Sequence, residues 1–269
     1  MISGRTKVFT IIAHPAAHVM APRIYNRLFE RLGLDMVYIA HAVPSAAVGQ
    51  TMQVYRAWEN LGGFNVTIPH KEITVEFLDT LCPITAHTGV VNTVVRQEDG
   101  TLLGYNTDGL GALHALGDVK DTRCLVLGAG GASRAIVDAL IHGGSTKVYI
   151  LNRSRLRAEQ LIEQAPVDKA ALFTEDLLPQ MDIVIQATPM SEAIPFDLDL
   201  SLLKQDARLL EIVMRDTAFS RQAAQLGLKL IPGFAMLYHQ TQRNFKLFTG
   251  LDITDDDVRD AFALLGYRP

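Results

Sequence analysis

Cys124-Leu125-Val126-Leu127-Gly128-Ala129-Gly130-Gly131-Ala132-Ser133 is a short apolar run that opens into glycines. An apolar run of this length reads as a buried strand, and Ala132 to His142 after it reads as a helix. Glycines at such a turn allow a tight bend. They also let backbone N–H groups approach a pyrophosphate at the helix N-terminus, where the dipole favours anions. Alone, the cluster would equally be a plain strand–helix connection. Its surroundings decide: Arg123 to Leu127, Val148 to Leu151, Ile183 to Gln186, Leu209 to Val213 and Leu228 to Ile231 read as strands, and Arg155 to Gln164 as a helix. That alternation predicts a doubly wound sheet of the dinucleotide-binding kind. Gly128, Ala129, Gly130, Gly131 and Ala132 are its candidate phosphate-binding residues.

The choice between dinucleotides rests on the end of the next strand. A site for an unphosphorylated ribose places Asp or Glu there, whereas a 2′-phosphate needs cations. This chain has Leu151-Asn152-Arg153-Ser154-Arg155-Leu156-Arg157, with no acid in reach. A guanidinium binds phosphate through a planar fork, and Arg153 and Arg157 are four residues apart at a helix start. NADP is the expected cofactor. The plainer reading of these arginines is a solvated basic helix start.

Upstream, a second α/β alternation precedes this one. Val8 to Ile12, Met36 to Ala42 and Phe64 to Thr67 read as strands, and Pro22 to Leu32 and Ala46 to Glu59 as helices, the latter ended by Gly62-Gly63. This favours a mainly parallel sheet covered by helices. Downstream, Phe234 to Phe248 and Asp255 to Leu265 read as amphipathic helices. A length of 269 residues and 48% hydrophobic composition suit two compact domains. A net charge of −4 without a basic tract argues against nucleic acid. No apolar stretch approaches the roughly 18 residues of a membrane span, and no secretory signal is apparent. Cys82 and Cys124 are the only cysteines and read as reduced structural residues. These features point to a cytoplasmic protein with a small-molecule substrate, monomeric or homodimeric.

Two polar cassettes carry the candidate chemistry. The first is Gly63-Phe64-Asn65-Val66-Thr67-Ile68-Pro69-His70-Lys71-Glu72; the second is Gly104-Tyr105-Asn106-Thr107-Asp108-Gly109, with Gly89-Val90-Val91-Asn92-Thr93 between them. Oxidising a secondary alcohol needs its hydroxyl proton removed as hydride leaves carbon, and a positioned acid/base group contributes about 10² to 10⁴ in rate. Lys71 is the candidate, with Asp108 to orient it. Taken singly, Lys71 would be a surface charge and Asp108 a helix N-cap. The eight histidines show no metal-ligand pattern: His14 and His18 flank Pro15 in a loop.

These cassettes, in this order and followed by the glycine turn, resemble the shikimate dehydrogenase family over nearly the whole chain. The resemblance implies a substrate domain of residues 1–108 plus about 240–269, and a Rossmann NADP-binding domain of residues 109–239. It assigns acid/base work to Lys71 with Asp108, and substrate hydroxyls to Asn92 and Gln240; Thr67, a short polar residue on the first cassette, is a further substrate-binding candidate. It matches Asn152-Arg153-Ser154 to the segment used for NADP, with Arg157 close by. It places Thr188, Gly233 and Met236 at the nicotinamide end, and it implies a role in aromatic amino acid biosynthesis. A quinate-type enzyme using NAD and a non-catalytic NADP-binding regulator are the alternatives.

The chain departs from the family pattern at the substrate end. Aligned on Pro15, His18, Pro22 and Asn26, the two serines that the family uses on the substrate carboxylate fall on Val19 and Ala21, and its tyrosine falls on Met214. Each charge-assisted hydrogen bond so lost is worth roughly 1.5–3 kcal/mol. Unless His18, Arg23 or Arg215 supplies another anchor, shikimate is expected to bind poorly.

Overall fold

The computed structural model describes residues 2–267. The chain divides into two compact units, residues 1–107 with 240–269, and residues 108–239.

The first unit is built on a six-stranded sheet. In chain order its elements are β1 (Lys7–Ala13), α1 (Ala21–Arg31), β2 (Met36–Ala42), α2 (Val48–Ala57), β3 (Leu61–Val66), β4 (Thr80–Leu81), α3 (Pro83–Thr88), β5 (Thr93–Arg96) and β6 (Leu102–Tyr105). The strand order is β2-β1-β3-β5-β6-β4. β5 runs antiparallel to both neighbours and the other pairs are parallel, so the sheet is mainly parallel. β1 is wholly buried from Phe9 onward, as a central strand covered on both faces must be. α1 starts with Pro22 in its first turn and buries Ile24, Tyr25, Leu28 and Phe29 at helical spacing.

Gly62 and Gly63 do not end α2, contrary to the expectation from sequence. The helix stops at Ala57, and both glycines lie inside β3, which is buried throughout. The register against β1 slips there, from Val8 opposite Leu61 to Phe9 opposite Gly63, leaving Gly62 as the extra residue of a bulge. A Cβ on Gly62 would sit 2.5 Å from the Phe9 ring. The glycine is therefore present for close packing, and only the folded sheet reveals that need.

The second unit opens with α4 (Asp108–Leu116) and continues through β7 (Arg123–Leu127), α5 (Gly131–His142), β8 (Lys147–Leu151), α6 (Arg155–Glu163), β9 (Ala170–Leu172), β10 (Ile183–Gln186), β11 (Arg208–Glu211), α7 (Ala218–Gln225) and β12 (Lys229–Pro232). Its six strands are all parallel in the order β12-β11-β10-β7-β8-β9. Side chains alternate between two cores. Cys124, Val126, Ile183 and Ile185 face one cluster; Leu125, Leu127, Val184 and Leu209 face the other. Strands buried on both faces read as continuous apolar runs, which is why β7 and β10 stand out in the sequence.

α8 (Gly233–Thr249) leaves the second unit and enters the first, and α9 (Asp255–Ala263) follows. α9 docks on α1 through Arg31–Asp257 and Arg27–Asp260, both at 2.6 Å. Thr254 caps α9 by accepting the Asp257 N–H while the Asp257 carboxylate accepts the Thr254 N–H.

Candidate active site

In parallel sheets ligands bind beyond the carboxyl ends of the strands, where loops expose polar groups. In the first unit those ends carry the first cassette. Thr67 N–H donates to Ile12 O at 3.1 Å and His14 N–H to Ile68 O at 3.3 Å, joining the loop after β1 to the segment after β3. His14–Pro15 and Ile68–Pro69 are cis peptides. Lys71 follows in a turn, half-buried, and its carbonyl accepts the Val91 N–H at 2.9 Å. His70 beside it turns inward: it is fully buried, with Nε2 2.7 Å from Val43 O, and burial lowers its pKa.

Asn92 is the hub of a buried amide and hydroxyl network. Its Oδ1 accepts the Thr107 N–H at 3.0 Å, and its Nδ2 donates to Thr107 Oγ1 at 2.9 Å. Thr107 Oγ1 donates to Asn244 Oδ1 at 2.9 Å, and Thr93 Oγ1 lies 3.0 Å from the same oxygen. Asn65 Nδ2 donates to Asn92 O and to Thr93 Oγ1, while Asn65 Oδ1 accepts the Tyr38 hydroxyl at 2.6 Å. Burial holds that phenol well above its ordinary pKa, so it stays a donor. Together these bonds clamp the segments that flank Lys71 and lead into Asp108, the first residue of α4. Asp108 and Gln240 are both buried. Tyr38, Thr93 and Asn244 escape sequence reasoning. Asn244 carries one usable signal: it lies one helical turn beyond Gln240 on α8.

The loop carrying Val19 and Ala21 is apolar. Val19 is half-buried and Ala21 buried where α1 begins. Arg23 is exposed and donates to Leu264 O at 2.7 Å. His18 is exposed in the turn.

In the second unit the glycine turn lies at the point where strand order reverses, between β7 and β10. Gly128 adopts φ +112°, and a Cβ there would lie 3.1 Å from Ala187 O, so the turn demands glycine. Gly130 precedes α5 without any side-chain cap, and a Cβ on it would meet nothing of the protein within 4 Å. The Ser133 hydroxyl, in the first turn and fully buried, has no partner among the described residues. Uncapped N–H groups beside open space suit a pyrophosphate. At the end of β8, Asn152 Nδ2 donates to Ser154 O at 2.9 Å and Ser154 caps α6 by accepting the Arg157 N–H. Arg155 is paired with Glu159 at 2.7 Å. Arg153 and Arg157 are exposed with no ion pair among the described residues.

Gln186, fully buried at the end of β10, accepts the Thr188 N–H at 2.8 Å and its hydroxyl at 2.9 Å, and donates to Met190 O at 3.1 Å. It shapes the Ala187–Met190 segment, a role that sequence reading assigned to no residue. Gly233 is needed for close approach: a Cβ would lie 2.8 Å from Glu211 O and from Ile212 O. Met236 is buried in the core cluster that includes Ala129. Met214 is half-buried, and neighbouring Arg215 donates to Ser191 Oγ at 3.1 Å. Among the described residues no group of three His, Cys, Asp or Glu gathers to hold a metal, and no helix is long and apolar enough to cross a membrane.

Two family models match the chain. Residues 11–94 match the shikimate dehydrogenase substrate binding domain, and residues 111–225 match shikimate / quinate 5-dehydrogenase. A shikimate dehydrogenase (NADP(+)) of Methanobrevibacter smithii is 32% identical over 98% of this chain and 100% of its own length.

The chain belongs to the shikimate dehydrogenase family.

Its fold is shared with solved members. A Thermus thermophilus shikimate 5-dehydrogenase in complex with NADP(H) and shikimate superposes with a TM-score of 0.85 at 32% identity, covering 96% of this chain and 99% of that one. A 5-ketofructose reductase of Gluconobacter sp. superposes with a TM-score of 0.83 at 26% identity, covering 98% and 100%. The family fold thus houses reductases named for different substrates.

Proposed function

We propose that this chain is an NADP-dependent oxidoreductase of the shikimate dehydrogenase type, transferring hydride between NADP(H) and shikimate/3-dehydroshikimate or a polyhydroxylated analogue. The supporting observation is the clamped pair of cassettes: a lysine fixed through its own carbonyl, beside a buried network that ends at the residue before Asp108. Bound NADP supplies the hydride acceptor or donor at the substrate carbon. Lys71 Nζ takes the hydroxyl proton during oxidation and returns it to the nascent alkoxide during reduction. Asp108 orients the ammonium and binds the same hydroxyl. Thr67, Asn92 and Gln240 present a hydroxyl and two amides to the remaining hydroxyls of the substrate. Gly128 to Ala132 take the pyrophosphate, and Arg153 and Arg157, with Asn152 and Ser154 shaping their turn, take the 2′-phosphate. Thr188, Gly233 and Met236 line the nicotinamide end. Residues 1–108 with about 240–269 form the substrate domain, and 109–239 the dinucleotide domain. A cytoplasmic monomer or homodimer accompanies this reading.

The 5-ketofructose reductase of similar fold is named for a sugar that has no carboxylate, which supports extending the substrate range beyond acids. The test is NADPH formation at 340 nm with shikimate, quinate and uncharged cyclic polyols, alongside NADP+ titration. Turnover of any of them with NADP+, faster than with NAD+, supports the reading. Tight NADP+ binding without turnover of any would make the chain a non-catalytic nucleotide binder.

A further inference from the structure

Resting on the oxidoreductase reading above, we infer that Asn244 is a positioning residue for the substrate: it orients the turn of α8 that carries Gln240, and so sets how Gln240 meets the substrate. Gln240 and Asn244 are four residues apart on α8, so they share one helix face, and both are buried. Phe245 and Phe248 continue the buried side of the helix. Their rings pack on Phe29 and Phe9, with centroids 6.0 and 5.0 Å apart. Apolar contact is non-directional and lets a helix roll or slide slightly on its support. A hydrogen bond is directional and does not.

Asn244 supplies that direction. Its Oδ1 accepts the Thr107 hydroxyl at 2.9 Å and lies 3.0 Å from Thr93 Oγ1. Thr93 opens β5 and Thr107 directly precedes Asp108, so one amide oxygen joins α8 to both segments. Burial raises the pKa of the Tyr25 phenol on α1, and a hydrogen bond with the Asn244 side chain opposes that rise. The Asn244 amide is thus held from three parts of the first unit at once. The two ends of the junction differ in what else secures them. The Thr107 N–H stays on Asn92 Oδ1 at 3.0 Å whatever stands at position 244. The segment leading to Asp108 is therefore held twice, and Asn244 adds the link to α8. Losing that link bears on Gln240, hence on substrate binding, rather than on the acid/base pair.

The experiment is a double-mutant cycle on substrate KM, using the full-length enzyme, NADP+ and the best substrate of the panel above. Asn244→Leu keeps the volume and removes the amide. It is expected to raise KM about fivefold or more, roughly the worth of one neutral hydrogen bond. kcat should change less and NADP+ affinity should stay unchanged, as for a contact made equally in ground and transition states. Gln240→Ala is expected to raise KM comparably. The double variant should match Gln240→Ala alone, since Asn244 then has nothing left to position. Asn244→Ser serves the same cycle should leucine destabilise the fold. Asn244→Asp keeps an acceptor for both threonine hydroxyls and is expected to recover most of the lost KM. KM effects that multiply in the double variant, a loss confined to kcat, or an Asn244→Asp enzyme as impaired as Asn244→Leu would each overturn this inference and leave the oxidoreductase reading standing. Wild-type protein that binds NADP+ and turns over no substrate defeats that reading, and this inference with it.

Discussion

Asn92 Oδ1 accepts the backbone N–H of Thr107 at 3.0 Å while Asn92 Nδ2 donates to Thr107 Oγ1 at 2.9 Å. This two-point clasp ties the segment before β5 to the segment that delivers Asp108. Replacing Asn92 by Ala would orphan the buried Thr107 N–H, costing about 1–3 kcal/mol, while the Thr107 hydroxyl keeps Asn244 Oδ1. Asn92→Ala is expected to lower the urea midpoint and to cut kcat more than NADP+ affinity. An Asn92→Ala enzyme with wild-type turnover would show that the clasp serves the fold alone.

The 2′-phosphate prediction rests on Arg153 and Arg157. Wild-type protein is expected to prefer NADP+ over NAD+ by at least tenfold in Kd, about 1.4 kcal/mol. Arg153→Ala should erase most of that preference while leaving NAD+ binding unchanged. Fluorescence titration of both cofactors checks this; unaltered NADP+ binding in the variant would place the phosphate elsewhere.

Glu211 gives a pH prediction. Burial raises its carboxyl to about 7, opposed by hydrogen bonds from Thr217 Oγ1 at 2.7 Å and Val213 N–H at 2.9 Å and by the charge of Arg215. A carboxyl whose folded pKa exceeds its unfolded value binds its proton more tightly when folded. Its stabilising contribution is full below the unfolded pKa and is lost as pH rises through about 7. Glu211→Gln keeps an acceptor for the Val213 N–H and removes the titration. Urea midpoints of wild type minus variant, taken at pH 5 and pH 8, should fall with pH. A difference independent of pH would mean that Glu211 titrates alike in both states.

The dinucleotide turn is legible in the sequence because β7, the glycines and α5 are contiguous, and because strands buried on both faces leave unbroken apolar runs. Lys71 and Asp108 are legible only through their cassettes, since neither residue type is informative alone. The short strands β4, β5 and β6 are not, because two to four residues are too few to show a period. Nor is the network around Asn92: Thr107 and Asn244 are 137 positions apart, and Tyr38 reaches Asn65 across 27. Gly62 misleads for a related reason, since the Phe9 ring that excludes a side chain there comes from another strand.

The central claim is that Lys71 performs the proton transfer in an NADP-dependent oxidation. The most direct measurement is kcat of Lys71→Ala against wild type on the best substrate of the panel, with NADP+ affinity measured on the same preparations. A loss of at least a hundredfold in kcat, in line with the contribution of about 10² to 10⁴ for a positioned acid/base group, is predicted with NADP+ Kd unchanged. Near-normal turnover in Lys71→Ala would contradict the account and reduce Lys71 to a surface charge.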